Sequence, residues 1–410
     1  MKTITTIKSL LNSLTRTLNL INPVLEKHHQ QTAYLAYMLA VELKINPEEI
    51  KMIIFASLLH DIGSIIKEEP EDIAAIEKNA KENAKVGAEL IYGFKGAETI
   101  SKIVYYSQTP WSELKNQVCE HKISSAIIHL ADYASSLIIY EKPILNQIKN
   151  IISEVENLKD EFCDKALAAL KIISNREYIW LDIRHNPEFL SFFIDDLGEL
   201  SIDEIIDLTR FMARIIDYRS PFTAMHSAGV AVSAKSLSEL YGMSEEKTKE
   251  MLIAGYLHDI GKLSVPKAIL EKPGKLTEEE FNIVKQHPYY TRLILMDIEG
   301  FDDISNWAGF HHEKLNGSGY PFHFGESVLD VGARIMAVAD IFSALTEKRP
   351  YRKEMEKEKV IAILKEAVNK NELDKGIVEL LVNNYEHINN IRNEASNIEG
   401  KRYFESFGDK

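Results

Sequence analysis

The strongest constraint on the fold is that the chain repeats itself. Leu58-Leu59-His60-Asp61-Ile62-Gly63 reappears as Tyr256-Leu257-His258-Asp259-Ile260-Gly261. Upstream, His29 precedes His60 by 31 residues and His226 precedes His258 by 32. Downstream, Leu130-Ala131-Asp132 echoes Val338-Ala339-Asp340, each inside an apolar run of helical period. Self-similarity on this scale predicts two related units, and 410 residues are too many for one ordinary core.

Those units are expected to be helical. Nearly every segment reads with helical period, and no convincing series of alternating strands occurs. Start signals recur: Asn46-Pro47-Glu48-Glu49 offers an N-cap followed by a proline at the first helical position, and Ser201 with Glu204 and Thr277 with Glu280 are capping boxes. Gly63 and Gly261 follow apolar runs and are read as helix stops. The expected architecture is all-α, with a first domain over 1–140, a helical connector over 141–200, a second domain over 201–370, and a C-terminal helix and tail over 371–410. The connector carries a long apolar stripe (Ile144, Ile148, Ile151, Ile152, Val155, Leu158), which suits a spacer or pairing with a second copy of the chain.

Bulk chemistry excludes several classes. With 48 Lys+Arg against 62 Asp+Glu the net charge is −14, and an acidic surface repels the backbone of a nucleic acid polymer. A small phosphate ligand held by a few local cations remains compatible. Cys119 and Cys163 form neither a zinc-site spacing nor a disulfide framework, which fits a reducing cytoplasm. No run of about 18 apolar residues occurs, so no membrane role is expected.

The chemistry concentrates between residues 226 and 340. His258-Asp259 ends the apolar run 251–257, His311-His312 ends another helical segment, and Asp340 sits in Arg334-Ile-Met-Ala-Val-Ala-Asp340-Ile-Phe. An unpaired carboxylate in such surroundings is costly unless a cation accompanies it. Adding His226 and His287 gives five imidazoles and two carboxylates, enough for two cations. Without thiolates the set suits manganese or iron, with zinc allowed, better than magnesium or calcium. Two such metals, roughly 3.5–4 Å apart, can hold a bridging hydroxide and stabilise in-line displacement at phosphorus.

Residues 201–370 resemble an HD-GYP domain, the cyclic di-GMP phosphodiesterase branch of the HD superfamily. The resemblance rests on Tyr256-Leu-His258-Asp259-Ile-Gly-Lys262-Leu-Ser-Val-Pro266, on Leu270-Glu-Lys-Pro-Gly-Lys-Leu276 and His287-Pro288, and on His311-His312-Glu313-Lys-Leu-Asn316-Gly317-Ser-Gly319-Tyr320-Pro321. Arg334 to Asp340, Ala344-Leu345-Thr346 and Arg349-Pro350-Tyr351-Arg352 complete it. It implies two HD-type domains and hydrolysis of cyclic di-GMP to pGpG, with continuation to GMP open. By that likeness His226, His258, Asp259 and Asp340 hold one metal. Asp259 bridges to a second held by His287, His311 and His312. Lys262 lies beside the scissile phosphate, and Tyr320, Arg349 and Arg352 contact the dinucleotide.

Three departures qualify the likeness. Phe222 replaces a third-metal glutamate found in some members, so two divalent ions, iron or manganese, are expected. Asn316 replaces an aspartate of the signature. Ser343 replaces an aspartate common three residues after Asp340, which leaves nucleotide preference open between cyclic di-GMP and 3'3'-cyclic GMP-AMP.

The first copy keeps His29, His60, Asp61 and Asp132, a set for a single metal at most. Its counterpart of His287 falls near Asn83, of the histidine pair near Tyr106-Ser107, and of Lys262 at Ser64. It lacks the glycine-tyrosine-proline signature, so it is expected to regulate or to dimerise, with a homodimer or a signalling protein as partner. His28, His121 and His129 are read as structural. A non-catalytic dinucleotide receptor and a general nucleotide phosphohydrolase are the rival readings.

Overall fold

The computed structural model describes residues 5–6, 9, 13, 23–64, 78–92, 97–185, 199–219, 226–347 and 354–407. Within them the chain is helical, as the periodicity predicts. The exceptions are one two-residue antiparallel pairing, Thr5–Thr6 with Glu199–Leu200, and an isolated bridge between Asn316 and Gly325. Helix starts obey the local signals. The Asn46 side chain accepts from the Glu49 N–H at 2.9 Å. Thr277 and Glu280 close a reciprocal capping box, and Ser201 donates its N–H to Glu204 at 2.8 Å. Each bond satisfies an N–H that the first helical turn leaves without a partner.

The chain divides into two compact units. The first spans Leu18–Gly198. Its described helices are α1 (Pro23–Glu42), α2 (Pro47–Leu59), α3 (Ala80–Tyr92), α4 (Glu98–Tyr106), α5 (Lys122–Ser136), α6 (Ile148–Asn157), α7 (Asp164–Ser174) and α8 (Glu177–His185), besides shorter turns. Helix α1 packs on α2 and α5, and α3 on α4. Ile151, Val155, Leu170, Ile173 and Trp180, all from the stretch read as a connector, are buried at 2% exposure or less. Burying each such side chain is worth about 1.5–3 kcal/mol, so α6–α8 are core elements of the first unit and not a free spacer.

The second unit comprises Met1–Thr17 and Glu199–Lys410. The N-terminal residues, assigned from sequence to the first domain, join this unit through the Thr5–Thr6 pairing and through Ser13, whose hydroxyl donates to the Ile294 carbonyl. Its main helices are α9 (Ile202–Arg219), α10 (His226–Tyr241), α11 (Glu245–Leu257), α12 (His287–Leu295), α13 (Asp302–Gly309), α14 (Val331–Thr346), α15 (Lys357–Asn369), α16 (Lys375–Asn383) and α17 (Tyr385–Phe407). Helix α10 is central, packing on α11, α14 and α17. The α10–α11 approach is close enough that a Cβ at Gly255 would lie 2.4 Å from the Ala231 Cα.

Gly63 and Gly261 are not the stops the sequence suggests. Helices α2 and α11 end at Leu59 and Leu257, and neither glycine adopts the left-handed backbone of a C-cap. Their role is contact. A Cβ at Gly261 would lie 2.0 Å from the His287 carbonyl oxygen, and one at Gly63 would lie 2.1 Å from that of Asn83. Among the described residues no helix is long and apolar enough to cross a membrane.

Candidate metal centre

Helix ends and one helix interior converge in the second unit. His226 opens α10, His258 and Asp259 follow α11, His287 opens α12, and His311 and His312 follow α13. Asp340 lies within α14, a mostly apolar helix whose start is set by Asp330 accepting from the Ala333 N–H. Thr291 ties α12 to the His-Asp turn, donating to the His258 carbonyl at 2.9 Å and accepting from the Gly261 N–H at 3.0 Å.

Backbone carbonyls fix three of the imidazoles. The Nδ1 of His258, His287 and His311 lies 2.8, 2.7 and 2.6 Å from the carbonyls of Gly255, Val284 and Ala308, each three residues back. A carbonyl only accepts, so each Nδ1 carries a proton and each ring turns its Nε2 to the interior. His226 is held from a different side: its Nδ1 lies 3.3 Å from Glu347 Oε2 and its Nε2 3.2 Å from Asp340 Oδ1.

The resulting cluster has two lobes. His258 Nε2 lies 3.2 Å from Asp259 Oδ2 and 4.0 Å from Asp340 Oδ1. On the other side of the Asp259 carboxylate, Oδ1 faces His287 Nε2 at 3.3 Å and His311 Nε2 at 3.7 Å. His312 Nδ1 lies 3.6 Å from Asp340 Oδ2. His226, His258 and Asp259 can present donor atoms to one ion, and His287, His311 and His312 to another. Asp259 stands between the two lobes.

These residues fit metal ions on three observations. The Nε2 atoms of His287 and His311 face each other at 3.2 Å although both rings have their Nδ1 proton committed elsewhere. Two lone pairs at that distance repel unless a cation lies between them. His258 Nε2 and Asp259 Oδ1 are buried and have no hydrogen-bond partner among the described residues, a costly state without a cation. The electrostatics agree. Burial, with the crowding of neighbouring histidines, pushes His311 well below its ordinary range, and burial lowers His287 and takes His312 down to about 3. All three rings are neutral at physiological pH.

The carboxylates are ionised. Burial alone would raise Asp259 and Asp340. Interactions with His258 and Lys262 at Asp259, and with His226 and His312 at Asp340, outweigh it and hold both well below the usual carboxylate range. Burial likewise opposes protonation of His226, but Asp340 and Glu347 win and push it up to about 10.

The remaining expected residues divide. Lys262 Nζ bonds Asp259 Oδ2 at 2.5 Å while staying partly exposed. The Tyr320 ring lies 4.8 Å from the His312 ring, and its hydroxyl is pushed above its usual range by burial and by the charges of Asp340 and Asp259. Arg349, Arg352 and Phe222 lie outside the described residues. Asn316 does what an aspartate cannot: its Nδ2 donates to the Lys370 carbonyl at 2.9 Å, while its Oδ1 accepts from the Ser318 N–H and hydroxyl. Ser343 is buried in α14, and its hydroxyl has no hydrogen-bond partner among the described residues.

Three contributors escape a reading of sequence alone. Glu313, buried at 2%, accepts from the Phe322 N–H at 2.7 Å and the Phe324 N–H at 3.0 Å, pinning the loop that carries Tyr320. Glu347 braces His226. Arg392, from the segment expected as a C-terminal helix and tail, is buried in α17 and donates to the Thr346 carbonyl at 3.1 Å, next to Glu347. A signal existed only for Glu313, which directly follows the histidine pair.

In the first unit the cluster has a different membership from the expected one. His28, His60, Asp61 and Asp132 bring donor atoms together. His28, read from sequence as structural, has its Nε2 2.8 Å from Asp132 Oδ1, whereas His29 Nε2 stands 3.7 Å from Asp61 Oδ2. The physical reason is helical phase, since adjacent residues of α1 point about 100° apart. The signal was available: His28 precedes His60 by 32 residues, as His226 precedes His258.

Comparison with known proteins matches this arrangement to a family. Residues 210–377 and residues 25–137 each match an HD domain family model. The chain is 31% identical over 378 residues to the 3'3'-cGAMP-specific phosphodiesterase 1 of Vibrio cholerae, covering 87% of this chain and 86% of that protein. It is 38% identical over 133 residues to a cyclic di-GMP phosphodiesterase of Pseudomonas aeruginosa, covering 32% of each. The fold is similar to the crystal structure of a cyclic GMP-AMP specific phosphodiesterase of V. cholerae, with TM-score 0.60, 22% identity, and coverage of 92% of this chain and 97% of that one. The class is thus a helical protein with two HD domains and His/Asp clusters able to bind metal ions. The chain belongs to the HD-GYP branch of the HD-domain family.

Proposed function

We propose that the second unit hydrolyses one phosphodiester bond of a cyclic dinucleotide, with 3'3'-cyclic GMP-AMP as its first substrate and cyclic di-GMP as its second. The observation that carries the reaction is the pair of donor sets on either side of Asp259, with His287 and His311 Nε2 lone pairs 3.2 Å apart. The order of substrates rests on the relative that matches nearly the whole chain, which is named as 3'3'-cGAMP-specific. The cyclic di-GMP relative matches about a third of it, at 38% identity.

In this reading His226, His258, Asp259 and Asp340 hold one divalent ion. Asp259 with His287, His311 and His312 holds the second, and iron or manganese suits the imidazole-carboxylate set. When bound, the two ions supply Lewis-acid stabilisation of the phosphoryl charge and a water acidic enough to attack near neutral pH. Lys262 offsets negative charge developing on the phosphoryl oxygens, its ammonium positioned by Asp259. Tyr320 offers a half-buried aromatic face beside His312 on which a base can stack. Arg349 and Arg352 supply guanidinium forks for phosphate and guanine edges. The first unit serves regulation, because its cluster lacks the second donor set.

The test is purification without oxygen in manganese or iron, followed by chromatography of both dinucleotides. Linear product from at least one, faster from 3'3'-cyclic GMP-AMP, is expected. Two ions bound with no turnover of either dinucleotide overturns the enzyme reading in favour of a receptor.

A further inference from the structure

Of the seven side chains in the metal centre, His312 alone reaches the surface. It is 26% exposed, while the other six are exposed by 9% or less. The centre therefore opens beside His312, and whatever it acts on extends outward from there. Tyr320 flanks that opening, its ring centroid 4.8 Å from that of His312. The Tyr320 N–H donates to the His312 carbonyl at 3.3 Å, which ties the position of the ring to the opening.

A second aromatic ring stands beyond Tyr320, and the proposed reaction does not use it. The Phe281 ring lies 6.0 Å from that of Tyr320, centroid to centroid, with the two planes 77° apart. Phe281 is 42% exposed. A single exposed phenylalanine is ordinary, but this one is held in place by its surroundings. The short helix Glu278–Val284 that carries it is closed by the Thr277–Glu280 capping box. Lys272 clamps the same glutamate, donating to its two carboxylate oxygens at 2.7 and 2.6 Å. One turn further on, Lys285 sets its ammonium 5.1 Å from the Phe281 ring centroid. A ring fixed in this way offers a ligand a preformed surface and lowers the ordering cost of binding.

Two rings nearly at right angles form a corner. A flat group stacked on Tyr320 meets Phe281 edge-on, and aromatic groups favour both arrangements. Cations mark the two ends of this line of contacts. Lys262 stands at the metal end, bonded to Asp259, and Lys285 stands at the outer end, over Phe281. Aromatic walls with ammonium groups at both ends suit a planar base joined to a phosphodiester.

We propose that Phe281 is the second wall of a nucleobase subsite: the base that stacks on Tyr320 packs its edge against Phe281 while its phosphodiester lies at the metal centre. This rests on the cyclic-dinucleotide reading of that centre. The test measures, by calorimetry, binding of hydrolysis-resistant phosphorothioate analogues of 3'3'-cyclic GMP-AMP and cyclic di-GMP to the metal-loaded full-length chain. Turnover of the natural dinucleotides is followed alongside. Phe281→Ala is expected to weaken both analogues about 3- to 10-fold and to raise KM by the same factor. Its kcat, bound metal and melting temperature are expected to match the wild type. The two losses are expected to be equal, because every base offers an aromatic face and edge. Phe281→Leu keeps apolar bulk without a ring and is expected to behave as the alanine variant, whereas Phe281→Tyr is expected to behave as the wild type. Wild-type affinity in Phe281→Ala, full affinity in Phe281→Leu, or loss of bound metal from Phe281→Ala overturns the proposal and leaves the enzyme reading standing. Binding of the analogues by the wild type without turnover of either dinucleotide overturns the enzyme reading alone. A metal-loaded wild type that binds neither analogue overturns both.

Discussion

Glu347 gives the sharpest prediction because its effect separates into charge and orientation. The His226 ring sits between two buried carboxylates, with Glu347 3.3 Å from Nδ1 and Asp340 3.2 Å from Nε2. A carboxylate beside Nδ1 favours a proton there and leaves Nε2 to a metal ion, and its charge makes the ring a stronger ligand. Losing an outer-sphere partner of this kind costs about 10–100-fold in metal affinity, equivalent to about 1.4–2.7 kcal/mol. Glu347→Gln keeps an acceptor and loses the charge, so it is expected near the lower bound. Glu347→Ala loses both and is expected near the upper, and Glu347→Asp is expected to recover part of the loss. Titration of the metal-free protein with manganese against a chromogenic chelator reads these affinities without reference to activity. Because Arg392 lies in the field of Glu347, the alanine variant is also expected to melt earlier. The reasoning is refuted if the glutamine and alanine variants both load two ions with wild-type affinity.

Three further outcomes follow from the same contacts. Gly261→Ala puts a Cβ 2.0 Å from the His287 carbonyl. The start of α12 must then shift, and loss of one metal equivalent with a lower melting temperature is expected by metal analysis and calorimetry. Glu313→Ala frees the N–H groups of Phe322 and Phe324. Steady-state kinetics are expected to show a raised KM through Tyr320, with metal content unchanged. Asp61→Ala is expected to leave dinucleotide hydrolysis largely intact, and abolition of turnover in a folded variant would refute the division of labour between the units.

The sequence carried the two-unit plan because a His-Asp pair in an apolar helix is a rare and local signal, and it occurs twice. The helical class was legible for the same local reason, since caps and periodicity lie within a few residues. Tertiary contact was not. The stripe from Ile144 to Leu158 shows that one face is apolar but not what covers it, and the structure turns Ile151 and Val155 into the first unit's own core. Gly63 and Gly261 look like stops because sequence displays what precedes a glycine and not the carbonyl that crosses it. Glu347 sits beside Lys348 and Arg349 and reads as part of a solvated charged loop. Its value depends on the ring that α10 brings to it. His28 and His29 differ by one residue and one helical step, and only the matching spacing of 32 separates them.

The central claim is that one carboxylate, Asp259, joins two donor sets into a single hydrolytic site. Its most direct test measures bound metal and dinucleotide turnover on the same samples of wild type and Asp259→Ala. The account predicts that the variant remains folded, loses both ions of the second unit, and linearises neither 3'3'-cyclic GMP-AMP nor cyclic di-GMP. A folded Asp259→Ala chain that keeps those two ions, or that hydrolyses either dinucleotide at the wild-type rate, contradicts it.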